Sequence, residues 1–151
     1  MRRASLIILV LSFSLSLFAS ESPFSGTWKM NPAKSKVMWP LPQSDVAVVN
    51  VDETGIKFSE EMTDEKGQSA KTSTEAKFDG KDYPLTGDPD SDSISYRRVD
   101  SNTLAATLKK GGKISERLTI RVSKDGKVTT VHSTAYSNGK EVKGITVYDK
   151  Q

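Results

Sequence analysis

Residues 118–148 read LTIRVSKDGKVTTVHSTAYSNGKEVKGITVY. Two dipeptides, Asp125-Gly126 and Asn138-Gly139, interrupt stretches in which apolar or small residues alternate with polar ones. Alternation at period two marks strands with one face turned to a core, and Asp-Gly or Asn-Gly tolerates the positive φ of a tight hairpin turn. Turn length then sets register. A two-residue turn at 138–139 places Val131 opposite Thr146 and Ala135 opposite Val142. A two-residue turn at 125–126 places Ile120 opposite Val131 and Val122 opposite Thr129. Both hairpins share one inward face, which runs through Leu118, Ile120, Val131, Gly144, Thr146 and Tyr148.

The same grammar extends towards the N-terminus. At Gly111-Gly112 a three-residue loop over 110–112 brings Leu104 opposite Leu118 and Leu108 opposite Ile114, keeping the leucines on the inward face. A second such loop over 100–102 adds Ile94 and Tyr96, sets Arg98 inward opposite Leu104, and leaves Glu116 inward opposite Ala106. Strands are predicted near 24–30, 45–51, 56–62, 70–78, 81–85, 93–99, 103–109, 113–122, 127–136 and 141–149, and no segment carries a helical period. The expected fold is all-β: an antiparallel up-and-down meander closed into a barrel of eight to ten strands, because closure removes exposed edges. Small inward residues at Ala70, Thr72, Thr74 and Ala76 leave room for an internal space. A flattened barrel or sandwich with its faces in contact is the other outcome.

Residues 1–20, MRRASLIILVLSFSLSLFAS, have two arginines, an apolar core and small residues at the end. The run is short and serine-rich for a spanning helix and reads as a signal peptide cleaved after Ala19 or Ser20. No cysteine follows to carry a lipid anchor, and the chain has none for disulfides or thiol chemistry. Of 22 basic residues, Arg2 and Arg3 leave with the leader, so 20 remain against 19 acidic, a net of +1. A nearly neutral surface offers no footprint for nucleic acid, and after cleavage no membrane segment is left. The expected localisation is periplasmic or secreted. Residues 21–151 form one domain.

The stretch FSGTWKMN, residues 24–31, sets Phe24, Gly26, Trp28 and Met30 on one face. Glycine there lets another backbone or a large ring come close, and the tryptophan can fill a barrel floor. Gly26-Thr27-Trp28 resembles the Gly-x-Trp of the calycin superfamily, the lipocalins and fatty-acid-binding proteins. The closing ITVYDKQ resembles the last strand of that family, and GTWKMNPAKSK, KFDGKDYPLTGDPD and ITVYDKQ together are similar to small exported bacterial lipocalin-like proteins. The resemblance implies a lipocalin-like barrel that binds a small molecule. Two departures matter. Residues 31–44 hold Pro32, Pro40 and Pro42 and cannot form the helical lid of fatty-acid-binding proteins, so an irregular strap across the barrel end is expected. The family's carboxylate-binding arginine falls on Thr146, with only its tyrosine partner kept, as Tyr148.

These residues point to an exported, non-catalytic barrel that binds a small apolar or amphipathic ligand, with no cofactor. A protein-interaction or cell-envelope structural module on the same scaffold is the alternative. Its protein partner is left open. Candidate ligand-binding residues are Tyr96, Arg98, Glu116, Thr146 and Tyr148, with Arg98 either paired to Glu116, drawn to the rim, or lining the cavity. Gly26 and Trp28 are structural, and Met38, Trp39 and Leu41 form a candidate mouth or portal. The only histidine, His132, falls on the outward face beside Ile145, so no triad or multi-histidine metal site is available. DPDSDS, residues 88–93, lacks the glycine and glutamate of a calcium loop and reads as a polar turn. Glu60-Glu61 and Arg97-Arg98 are strand neighbours that split across two faces.

Overall fold

The computed structural model describes residues 21–137 and 139–151. The leader read from residues 1–20 and the first residue of the Asn138-Gly139 turn lie outside the described residues. Ten strands follow one another: β1 (Gly26–Met30), β2 (Ser44–Val51), β3 (Gly55–Thr63), β4 (Ser69–Lys77), β5 (Tyr83–Pro84), β6 (Ser93–Asp100), β7 (Thr103–Lys110), β8 (Lys113–Val122), β9 (Val128–Ser137) and β10 (Lys140–Lys150). They form one antiparallel sheet in the order β4-β3-β2-β1-β10-β9-β8-β7-β6-β5. Every neighbour in space is a neighbour in sequence except β1 with β10, and that pairing wraps the meander round. No described helix is long and apolar enough to cross a membrane.

The sheet is nearly closed by a thin seam. Ser73 of β4 and Thr86, just past β5, exchange both backbone hydrogen bonds at 2.9 Å. Thr74 Oγ1 adds a bond to Pro84 O at 2.8 Å. Pro84 lacks an N–H and ends β5 after two residues, so this single bridge does the work of a ladder. Gly87 makes the close approach possible. Its φ is +88°, and a Cβ there would overlap the Lys71 carbonyl of β4.

The register matches the sequence reading at both C-terminal hairpins: Val131 faces Thr146, Ala135 faces Val142, Ile120 faces Val131 and Val122 faces Thr129. It differs between β7 and β8. Leu104 stands opposite Ile120 and Leu108 opposite Glu116, not Leu118 and Ile114. The turn at Gly111-Gly112 has two residues, and Ser115 is the extra residue of a bulge. The bulge restores the leucines to the inward face, as the longer loop was expected to do, one row further along. Consequently Glu116 opposes Leu108 rather than Ala106. The β6–β7 turn is likewise two residues plus a bulge at Val99, and Arg98 keeps its expected partner Leu104.

The core occupies one end of the barrel, here called the floor. Phe24, Trp28, Val51, Ile56, Leu104 and Val122 are buried there. Trp28 Nε1 donates to Phe24 O at 2.8 Å, and Ser25 Oγ accepts from Val51 N at 2.9 Å. Gly26 makes room for neither a backbone nor a ring. It takes the aliphatic arm of Lys150, whose ammonium lies 5.4 Å from the Trp28 ring centroid. The end of β1 also differs from the expected strap. Pro32 has no N–H for the ladder, so the chain bulges out after Asn31, and Ser35 Oγ takes the place of a backbone acceptor for Val147 N at 3.0 Å. Pairing with β10 then resumes as a bridge between Lys36 and Ile145. The segment runs along β10 before it reaches the opposite end, the mouth.

Candidate functional site

Parity carries three acidic side chains off the solvent face. On β2, Asp45 shares its face with Ala47 and Val51, both buried, and is itself only 6% exposed. On β3, Glu60 is in phase with Ile56 and Phe58, while Glu61 is exposed on the outside. On β8, Glu116 is in phase with Leu118 and Ile120. A fourth, Asp88, comes from the loop after the seam, where its Oδ1 accepts from Asp90 N and Ser91 N at 2.7 and 2.9 Å. All belong to the mouth half. Tyr148 reaches across from β10 and donates its hydroxyl to Asp45 Oδ2 at 2.8 Å.

Asp45, Glu60 and Glu116 are all held above the usual carboxylate range. Burial pushes Glu60 up to about 8, helped by the charges of Asp45, Asp88 and Glu116. Burial also raises Asp45, against the stabilising hydrogen bond from Tyr148. Glu116 is raised by burial and by Asp88, with the neighbouring Ser133 hydroxyl opposing the rise. Tyr148 is held well above the usual phenol value by burial, then by Asp45. A proton kept on Glu60 has a natural acceptor in Asp45 Oδ1, which is buried and has no other partner.

Behind the acids lies a cavity of about 250 Å³. Its walls include Trp28, Phe58, Tyr96, Leu104 and Leu118, and Glu60, Glu116 and Asp88 face it. Among the described residues no lysine, arginine or histidine lines it. At the mouth Trp39 packs on Gly144, where a Cβ would overlap the indole ring. Met38 beside it is 82% exposed, and Leu41 is 37% exposed. No three or more His, Cys, Asp or Glu side chains gather closely enough to hold a metal ion among the described residues.

The structure brings Tyr96, Glu116, Thr146 and Tyr148 to this cavity, with Trp28 at its base and Trp39 at its opening. Arg98 is elsewhere: of its three expected positions it takes the one at the rim, which corrects its place among the ligand-binding candidates. It is exposed at the floor end, where its guanidinium lies 4.6 Å from the Phe78 ring centroid and Nη2 donates to Asp52 O at 3.0 Å. It neither lines the cavity nor meets Glu116, because β6 carries it past the floor before its side chain can turn inward. Asp45, Glu60 and Asp88 were not among the sequence candidates. The signal for the first two was parity: each interrupts an otherwise apolar inward row.

No protein-family model and no curated protein sequence matches the chain. Among solved structures, the zebrafish ileal bile acid-binding protein complexed with cholic acid is similar. The match has a TM-score of 0.56 at 11% identity and covers 86% of this chain and 100% of that one. The likeness is one of fold: the chain shares the antiparallel barrel of that bile acid-binding protein.

Proposed function

We propose that this protein is an exported carrier or receptor of a small apolar or amphipathic molecule, held in the barrel and not chemically changed. One observation carries the reading: a cavity of about 250 Å³ with aromatic and aliphatic walls and a few polar groups among them. That is the make-up of small-molecule sites, near the lower limit of their usual range of about 300–1,000 Å³. The size favours a compact ligand. The bile-acid-binding neighbour supports the scaffold for such a role, and the leader supports export to the periplasm or beyond.

Native mass spectrometry of the protein purified from its own host tests this directly. A retained small molecule, lost when Thr146→Trp fills the cavity, is the expected result. A protein that carries nothing and binds no apolar fluorophore overturns it.

The interaction-module reading draws on a different observation, the exposed Met38 and Leu41 at the mouth. It predicts that Met38→Ser with Leu41→Ser abolishes association with a partner while leaving cavity binding intact.

A further inference from the structure

The cavity is one-sided in its charge. Glu60, Glu116 and Asp88 face it, Asp45 backs it through Tyr148, and no basic side chain lines it. Like charges gathered in a water-poor space are costly without a countercharge. Among the described residues no side chain on the cavity wall supplies one, so the countercharge is free to come from the ligand.

A second observation is independent of the acids. Thr129 Oγ1 and Ser133 Oγ are buried with no hydrogen-bond partner, in residues each only 7% exposed. Thr129 lines the cavity and stands opposite Tyr148 in the β9–β10 ladder. Ser133 also lines the cavity, beside Glu116. Buried polar atoms are nearly always satisfied, so unpartnered hydroxyls on a cavity wall, Ser133 beside Glu116 above all, mark where a ligand's polar group can sit. What they have in common is the capacity to accept.

The kind of donor follows. A metal ion needs several oxygens on one centre, and among the described residues no three acidic side chains come together closely enough to hold one. A carboxylate, phosphate or sulfonate would add charge of the same sign. An organic ammonium offers three N–H donors and one positive charge on a compact head, followed by an apolar body suited to Phe58, Leu104 and Leu118. We propose that the barrel binds a small amphipathic cation, an alkyl- or arylammonium whose head group is held by Glu60 and Glu116. This inference rests on the ligand-binding reading above and specifies it.

The test uses protein purified after expression of the full chain, titrated calorimetrically at pH 8 with octylamine, 1-octanol and octanoate. Octylamine is expected to bind about 10- to 100-fold tighter than octanol, the margin of a charge-assisted hydrogen bond, with octanoate the weakest. Glu60→Gln and Glu116→Gln are each expected to cut the amine-to-alcohol ratio about tenfold, whereas Glu61→Gln on the outer face leaves it alone. Circular dichroism and melting curves confirm that each variant folds. An amine no tighter than the alcohol, a tighter octanoate, or a ratio untouched in both inner variants overturns the cation proposal and leaves ligand binding standing. Failure of all three probes to bind brings down both.

Discussion

The floor and the mouth half of the barrel differ most in where they bury acids. At the floor, Trp28 Nε1 and Ser25 Oγ are each given a backbone partner, and the apolar side chains around them are buried to within a few per cent. In the mouth half, Asp45 Oδ1 and Ser133 Oγ have none, and acids sit where the strand pattern asks for apolar residues. One end spends its residues on folding. The other tolerates a cost that only a bound partner relieves, which is how binding sites differ from cores. Substitutions at the floor should therefore act on stability first, and those at the mouth on binding and pH response.

The largest expected effect is at the floor. Trp28→Ala removes the ring that Phe24, Ile56 and Leu104 pack around, and such truncations cost about 3–5 kcal/mol. Chemical denaturation should show that loss, or an unfolded chain. A cost below about 1 kcal/mol would mean that the floor is not the folding core.

Next comes the seam that closes the sheet between β4 and the segment after β5. Gly87→Ala forces a side chain into a φ of +88° and onto the Lys71 carbonyl. A loss of roughly 1–3 kcal/mol is expected. Hydrogen exchange should localise it, with the Ser73 and Thr86 amides losing protection before those of β9 and β10. Uniform loss would mean that the barrel opens as one unit and the seam has no separate character.

The mouth half should reveal itself through pH. The folded value of Glu60 is raised, so between the ordinary glutamate range and about 8 the folded chain holds a proton that the unfolded chain has released. Stability must then fall as pH rises across that window, and Asp45 and Glu116, also raised, act in the same direction. The lowered carboxyls, Asp52 and Asp149 among them, titrate below it and do not interfere. Ligand-free protein should melt on the order of 5–10 °C lower at pH 8.5 than at pH 5, and Glu60→Gln should remove much of that slope. A flat profile in the native chain would mean that water reaches Glu60 freely.

Most of the fold was legible because hairpin turns are local. Asp125-Gly126 and Asn138-Gly139 set the registers of β8, β9 and β10 from dipeptides alone. The β7–β8 register was not, since a two-residue turn with a bulge at Ser115 and a three-residue loop both restore the leucines to the same face. The seam was invisible for another reason: one bridge between Ser73 and Thr86 has no periodicity to read. At the site, Tyr96, Glu116, Thr146 and Tyr148 followed from parity. Glu60 obeyed the same parity, but its importance depends on Asp45 and Glu116 from other strands, and that proximity belongs to the closed barrel. A lone inward acid says little until its neighbours are known.

The smallest effect should come from Arg98, and it sharpens the contrast between the ends. Its guanidinium lies over Phe78 and bonds Asp52 O from an exposed position at the floor. An exposed cation–π contact is worth about 0.5–1 kcal/mol, and a surface hydrogen bond little more than water offers in its place. Arg98→Met keeps the length of the arm and its apolar cover on Phe78, so the loss should stay within about 1 kcal/mol. Ligand affinity should not change, because the residue lies outside the cavity. A drop in affinity with unchanged melting would place a positive group in the site after all. It would also reverse the expected preference from cations towards anions, since the acids would then have a partner of their own.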